Sequence, residues 1–93
     1  MALVEIYTTM LCPYCCRAKK LLEERGATVR EVDVMCDGKL RGEMRARAGG
    51  RTSVPQIFIN GQHVGGCDEL YALDRAGKLT PLLEQPALEQ PAS

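Results

Sequence analysis

No tryptophan occurs among the 93 residues, phenylalanine and histidine occur once each, and neither sign of charge is in excess. Lysine and arginine together number 12, as do aspartate and glutamate, so the charge balance predicts no attraction to nucleic acid or to an anionic membrane. Apolar runs are too short for a membrane-spanning helix, and "MALVEIYTT" meets Glu5 before a signal-peptide core could form. We therefore expect a cytoplasmic monomer with a single small hydrophobic core.

Cysteine, by contrast, is plentiful, with five residues, three of which fall within "MLCPYCC" at residues 10–16. An odd number leaves at least one thiol unpaired in any intramolecular disulfide scheme, which argues against a secreted domain held by disulfides. In a reducing compartment, a C-x-x-C pair is more often redox-active or metal-binding than structural. A tetrahedral zinc site needs a second pair of ligands, and the sequence contains no other C-x-x-C or H-x-H pair, so no metal is expected.

The pattern of apolar residues predicts alternating strands and helices. Short β-branched segments favour strands, and apolar positions that recur every three or four residues favour helices. An "NG" turn at 60–61 predicts a hairpin, because Asn and Gly tolerate positive φ. The predicted elements are a strand over 3–8, a helix from Pro13 to Gly26, a strand over 28–34, a helix from Asp37 to Gly49, the hairpin strands "PQIFIN" and "QHVGG", and a closing helix in "CDELYALDRAG" that breaks at Gly77 before a short further turn.

These elements predict an α/β domain of the order β-α-β-α-β-β-α. The first β-α-β unit requires a right-handed crossover between parallel strands, and the hairpin adds antiparallel strands to the same sheet. We therefore expect a four-stranded mixed sheet flanked by helices, within a domain that spans residues 1–84. Residues 85–93 contain two prolines and too little apolar content to pack, so we expect them to form a disordered tail.

The chemistry of "CPYC" depends on its predicted place between the first strand and the first helix. Cys12 lies where backbone N–H groups have no intrahelical acceptor, and these donors, together with the helix dipole, favour a thiolate over a thiol. Cysteines at such positions can have a pKa of roughly 3.5 to 7.5 instead of about 8.5. Cys15, nearly one helical turn later, can approach the sulfur of Cys12 and suits a resolving role. Pro13 stiffens the turn, Tyr14 offers an aromatic edge, and Cys16 points about 100 degrees away from Cys15 around the helix.

Four blocks of the sequence, in this order, resemble the glutaredoxins, specifically the small bacterial dithiol type. They are "VEIYT", "CPYC" followed by "RAKKLL", "RTSVPQIFING" and "GGCDELYAL". Thioredoxins, the sister family, usually carry a tryptophan beside the motif and Gly-Pro within it, and this chain has neither. The resemblance extends to about residue 84 and implies a thioredoxin fold and a glutathione-dependent thiol–disulfide oxidoreductase with Cys12 and Cys15 as its redox pair. Glutathione would be the co-substrate, and glutathionylated or disulfide-containing proteins the partners.

The resemblance also implies where glutathione would bind. The Val54-Pro55 bond would be cis, and the Val54 backbone would pair with the cysteinyl unit of glutathione like an added strand. The N–H groups of Cys67 and Asp68, at a helix start, would hold the γ-glutamyl carboxylate, and the Asp68 side chain would meet its ammonium. The full predicted glutathione-binding set is Tyr14, Arg51, Ser53, Val54, Pro55, Gly66, Cys67 and Asp68.

One usual feature of the family is missing from the sequence. Glutaredoxins often have a lysine shortly before the first cysteine of the motif, which holds the glycyl carboxylate of glutathione, but residues 9–11 are Thr-Met-Leu here. Arg51, Arg47 and Arg45 are the candidates for supplying that charge. Cys16 stands where relatives often carry a histidine or an arginine.

Two other functions are left open by the residues. A thioredoxin-like donor, recycled by a flavin reductase, would use the same two cysteines without glutathione. A binding protein that holds an iron–sulfur cluster between two copies would use Cys12 and glutathione as ligands, although the stiffness of Pro13 is expected to disfavour the cluster. Outside the motif, Cys36 and Cys67 are expected to be small, half-buried thiols, and His63 is expected to be a surface residue.

Overall fold

The computed structural model describes residues 2–87, which form one four-stranded sheet and four helices. The strands are β1 (Val4–Thr8), β2 (Val29–Asp33), β3 (Gln56–Ile59) and β4 (Gln62–Gly65). The helices are α1 (Pro13–Glu24), α2 (Gly38–Arg47), α3 (Cys67–Arg75) and α4 (Leu79–Glu84). The strand order in the sheet is β2-β1-β3-β4, so β1 and β3 are the central strands.

The central strand β1 is buried along all five of its residues. It pairs in parallel with β2, where Val4 lies opposite Val29, and antiparallel with β3, where Val4 lies opposite Ile59. The chain turns from β3 into β4 through Asn60 and Gly61, which both have positive φ, as the "NG" pair predicted. The mixed four-stranded sheet expected from the sequence is therefore confirmed.

Alternate residues of the central strands face two separate apolar clusters, as the pleat of a sheet requires. Val4 and Ile6 of β1 pack against α1, α3 and α4, whose buried leucines are Leu21, Leu22, Leu70, Leu79 and Leu83. On the opposite face, Tyr7 and Phe58 pack against Met44 of α2. The sheet is thus covered on both faces, which fixes the carboxyl end of β1 where the cysteine motif begins.

A buried charge belongs to the second face of the sheet. Glu5 is 6% exposed, and its carboxylate accepts hydrogen bonds from Arg47 at 3.0 Å and from Arg30 at 3.4 Å. The Arg47 guanidinium also lies over the Phe58 ring, 4.1 Å from its centroid, and donates to the Tyr7 hydroxyl at 2.8 Å. Arg47 therefore fastens α2 to the sheet.

The predicted element boundaries differ from the observed ones by only a few residues. The helix that was expected from Asp37 begins one residue later, because the Asp37 carboxylate caps it by accepting a hydrogen bond from the Leu40 N–H at 3.0 Å. None of the helices in residues 2–87 combines the length and the apolar composition that a membrane crossing requires. Of the predicted tail, residues 88–93 lie outside the described part of the chain, and the Pro86 carbonyl accepts a hydrogen bond from the Asn60 side chain at 3.0 Å.

Candidate active site

The turn between β1 and α1 places Cys12 at the start of the helix. Leu11 has a φ of 63°, and Cys12 then adopts an extended conformation as the N-cap, with Pro13 as the first helical residue. The Cys12 sulfur accepts a hydrogen bond from the Cys15 backbone N–H at 3.4 Å. It occupies the place of a capping oxygen, so a backbone donor and the positive end of the helix dipole both face this sulfur.

The two cysteines of the motif have different surroundings. Cys15 is 2% exposed, and burial, together with its hydrogen bond to Cys12, raises its pKa to about 12. Cys12 is half-buried, and its sulfur lies 4.0 Å from the Val54 carbonyl oxygen. Cys16 lies in α1, as predicted, and is exposed. At neutral pH Cys15 therefore retains its proton. Cys12 is also the more accessible of the two sulfurs, because Cys15 is buried.

A cleft of about 220 Å³ opens between the Val54 loop and the start of α3. The Val54-Pro55 bond on its wall is cis, as predicted. All eight residues of the predicted glutathione-binding set line this cleft, and Glu69 lines it as well: they are Tyr14, Arg51, Ser53, Val54, Pro55, Gly66, Cys67, Asp68 and Glu69. The structure thus brings the predicted set together next to Cys12.

The start of α3 forms one wall of the cleft. Gly66 is the N-cap, and an added Cβ there would lie 3.3 Å from the Pro55 carbonyl oxygen, so glycine allows the helix to approach the Val54 loop closely. The next residues, Cys67 and Asp68, begin the first turn, whose N–H groups have no intrahelical acceptor. Asp68 is exposed, whereas Cys67 is 6% exposed and burial raises the pKa of its thiol, so Cys67 is more buried than the sequence suggested.

Of the three arginines considered for the missing lysine, only Arg51 lines the cleft. Its guanidinium donates to the Glu69 carboxylate at 2.6 Å, and this contact, with a further hydrogen bond from the Gly66 N–H, lowers the pKa of Glu69. Arg47 is committed to the buried Glu5 carboxylate, and Arg45 borders a separate depression on α2. Arg47 and Arg45 therefore lie outside the residues that line the cleft.

A family model described as Glutaredoxin matches residues 4–64. The chain belongs to the glutaredoxin family. Glutaredoxin 3 of Escherichia coli (strain K12) is 56% identical over 84 residues, covering 90% of this chain and 100% of that protein. The solution structure of glutaredoxin from Brucella melitensis is 54% identical, with a TM-score of 0.79, and the match covers 90% of each chain. The crystal structure of a buckwheat glutaredoxin–glutathione complex is 33% identical, with a TM-score of 0.79, covering 88% of this chain and 76% of that one.

Family and fold together give this glutaredoxin a thiol–disulfide oxidoreductase role on a thioredoxin-like fold. The resemblance inferred from the four sequence blocks is thereby confirmed. Within residues 2–87, no three histidine, cysteine, aspartate or glutamate side chains converge closely enough to hold a metal ion.

One hydrogen-bonded chain behind the cleft was missed by the sequence analysis. The fully buried Gln56 amide donates to the Ser53 carbonyl at 3.0 Å and to the Ser53 hydroxyl at 3.2 Å. Its oxygen lies 2.7 Å from Nε2 of His63, and the His63 ring stacks on Phe58 at 5.1 Å between centroids. His63, predicted as a surface residue, is half-buried, because its ring faces Gln56 and Phe58 of β3. The polar Gln56, directly after Pro55, was the only signal in the sequence that could have indicated these hydrogen bonds.

Proposed function

We propose that this glutaredoxin is a glutathione-dependent oxidoreductase that reduces mixed disulfides between proteins and glutathione, and protein disulfides. The observation that carries the proposal is the cleft, because the Val54 backbone and the first turn of α3 face it within reach of the Cys12 sulfur. A structural neighbour with the same fold is described as a complex with glutathione. The eight residues named from the sequence are the proposed contacts.

Each part of glutathione has a chemically suitable partner in the cleft. The Val54 backbone offers an N–H and a C=O to the cysteinyl unit, in the manner of an added strand. The free N–H groups of Cys67 and Asp68 suit the γ-glutamyl carboxylate, and the exposed Asp68 carboxylate suits its ammonium. Arg51 is the remaining cation for the glycyl carboxylate, since a guanidinium has five N–H donors and Glu69 engages one nitrogen.

The reaction starts with the accessible sulfur. The Cys12 thiolate attacks the glutathione sulfur of the mixed disulfide, so the bond between glutathione and the protein breaks and the protein leaves as a thiolate that takes up a proton. A second glutathione thiolate then attacks the glutathione sulfur held on Cys12. Oxidised glutathione leaves, and Cys12 returns as the thiolate.

Cys15 has a separate part in the reduction of protein disulfides. After Cys12 forms a mixed disulfide with the protein, Cys15 attacks the Cys12 sulfur, which releases the protein thiol and closes the Cys12–Cys15 disulfide. The pKa of about 12 keeps Cys15 protonated while Cys12 is not part of a disulfide, because burial and the neighbouring Cys12 both oppose a negative charge on Cys15. This difference prevents Cys15 from competing as the first nucleophile.

The test compares three single variants, Cys12→Ser, Cys15→Ser and Cys16→Ser, on a glutathionylated peptide and on a protein disulfide. Removal of glutathione from the peptide is expected to be lost with Cys12→Ser and to persist with Cys15→Ser, which should lose only protein disulfide reduction. The exposed Cys16 is the matched control and should retain both activities. Loss of deglutathionylation in both motif variants, or in neither, would contradict the assigned roles.

Two further measurements separate this proposal from the alternatives. Turnover supported by a flavin-linked thioredoxin reductase, and not by glutathione, would replace it with the thioredoxin-like donor. An anaerobic absorption spectrum with the charge-transfer bands of a cluster would favour the iron–sulfur protein.

A further inference from the structure

Four large apolar side chains are exposed among residues 2–87, and three of them lie within two residues of Cys12 in the sequence. The four are Met10, Leu11, Tyr14 and Met35, which are 65%, 92%, 55% and 46% exposed, respectively. We refer to these four residues as the rim. Single exposed apolar residues are ordinary on protein surfaces, but a group of them marks an interaction site.

The parallel pairing of β1 and β2 brings the two parts of the rim together. Beyond the end of β2, the Val34 N–H still donates to the Thr8 carbonyl at 2.9 Å. The chain after Thr8, which contains Met10 and Leu11, and the chain after Val34, which starts with Met35, therefore leave the sheet at the same edge. This is also the edge at which α1 and the cysteine motif begin.

Leu11 has a backbone conformation that a leucine rarely adopts. Its φ of 63° lies in the left-handed region, where the Cβ of an ordinary residue is crowded by the backbone. The side chain is 92% exposed, so no packing within the molecule compensates for this conformation. Such conformations cluster at sites that contact ligands. The turn therefore presents a large apolar side chain to solvent directly before Cys12.

The chemistry of the rim favours an apolar partner. Residues 9–16 contain no charged side chain. The two acidic residues that flank Met35 are engaged by the backbone: the Asp33 carboxylate accepts from the Met35 N–H at 2.9 Å, and the Asp37 carboxylate accepts from the Leu40 N–H at 3.0 Å. Tyr14 lines the cleft and also belongs to the rim, so the two adjoin at this residue.

We propose that the rim binds the protein half of a glutathionylated substrate, and that it selects proteins whose modified cysteine is flanked by apolar residues. The inference rests on the proposed function and adds a substrate class to it. Glutathione would occupy the cleft, while the apolar segment of the substrate would cover Met10, Leu11 and Met35. A small mixed disulfide, which has no such segment, gains nothing from the rim.

The experiment removes the apolar character of the rim while keeping its shape. A triple variant carries Met10→Gln, Leu11→Asn and Met35→Gln, where asparagine is chosen because it tolerates the left-handed conformation. Its kcat/KM is compared with that of the unmodified protein on two glutathionylated peptides, one with leucine and phenylalanine flanks and one with serine and glycine flanks. The mixed disulfide of glutathione and 2-mercaptoethanol is the third substrate, and Lys20→Gln, an exposed change elsewhere on α1, is the control.

The unmodified protein and the control variant should turn over the apolar peptide about tenfold faster than the polar one, as partial burial of three such side chains predicts. The triple variant should lose that preference and keep its rate on the small disulfide. Equal rates of the unmodified protein on the two peptides, or an equal loss on all three substrates in the variant, would overturn the inference. Absence of any turnover of the small disulfide by the unmodified protein would instead contradict the proposed function.

Discussion

Replacing His63 tests whether the hydrogen-bonded chain behind the cleft positions the Val54 loop. Because the Gln56 amide nitrogen donates to Ser53, its oxygen faces His63, and Nε2 of His63 must be the donor. Burial lowers the pKa of His63, and the positive charge of Arg51 lowers it further, so the ring is neutral at pH 7. His63→Leu removes this donor and leaves the oxygen of a fully buried amide without a partner.

The expected cost follows from that unpaired oxygen. Leaving a buried polar atom unsatisfied costs about 1 to 3 kcal/mol, which for a domain of this size lowers the melting temperature by roughly 4 to 8 °C per kcal/mol. Loosening the Gln56 amide also frees the Ser53 carbonyl, whose carbon is bonded directly to the Val54 nitrogen. We therefore expect a severalfold higher KM for glutathione with a smaller change in kcat.

The assay is urea unfolding together with steady-state kinetics, and His63→Gln is the matched control because its amide nitrogen can replace the ring donor. His63→Gln should recover most of the stability and the KM. The lowered pKa means that the folded protein resists protonation, so the stabilisation is present above the unfolded value of about 6.5 and is lost as pH falls through the folded value. The difference in free energy of unfolding between the unmodified protein and His63→Leu should therefore narrow below pH 6.5. Equal behaviour of the Leu and Gln variants would refute the reasoning.

Two further predictions concern the core and the second cysteine. Arg47→Met should lower the free energy of unfolding by about 3 kcal/mol, because it leaves the buried Glu5 carboxylate with only the exposed Arg30. Adding Glu5→Gln to this variant should restore part of the lost stability. A loss below about 1 kcal/mol in urea unfolding would contradict this prediction. Iodoacetamide followed by peptide mass spectrometry at pH 7.5 and 9 should label Cys12 and leave Cys15 unmodified, since burial raises the pKa of Cys15 to about 12; labelling of Cys15 at the rate of a free thiol would contradict this.

The order of elements was predictable because each is encoded locally. "PQIFIN" and the "NG" turn fix the hairpin by their own residues, and Gly26, with a φ of 84°, ends α1 where the sequence placed the stop. The cleft residues were predictable for a different reason, since they lie in sequence blocks shared with the glutaredoxins. Their convergence depends on the sheet, which brings Val54 and Asp68 to the edge where Cys12 begins a helix.

The pairings between distant side chains could not be predicted from the sequence. Arg47 was one of three equivalent arginines in the sequence. Only the folded structure shows that its guanidinium lies over Phe58 and pairs with the Glu5 carboxylate. His63 looked like a surface residue because a four-residue strand gives little indication of which of its side chains meets a buried amide. Such partners are fixed by the register of strands and helices, which composition and spacing do not determine.

Under the two proposals, selectivity for glutathione and selectivity for the protein partner would depend on separate parts of the molecule. The cleft is built from the segments around Val54 and Asp68, whereas the rim is built from the turns after β1 and β2, and only Tyr14 belongs to both. Cys12 lies between the two because the turn after β1 leads into α1 there, with Cys12 as the N-cap. Under these proposals, changes at Met10, Leu11 or Met35 would alter the choice of protein substrate and would leave the proposed glutathione contacts in place. A chain that loses the family's lysine before the motif and gains two apolar residues there would shift its preference in this direction.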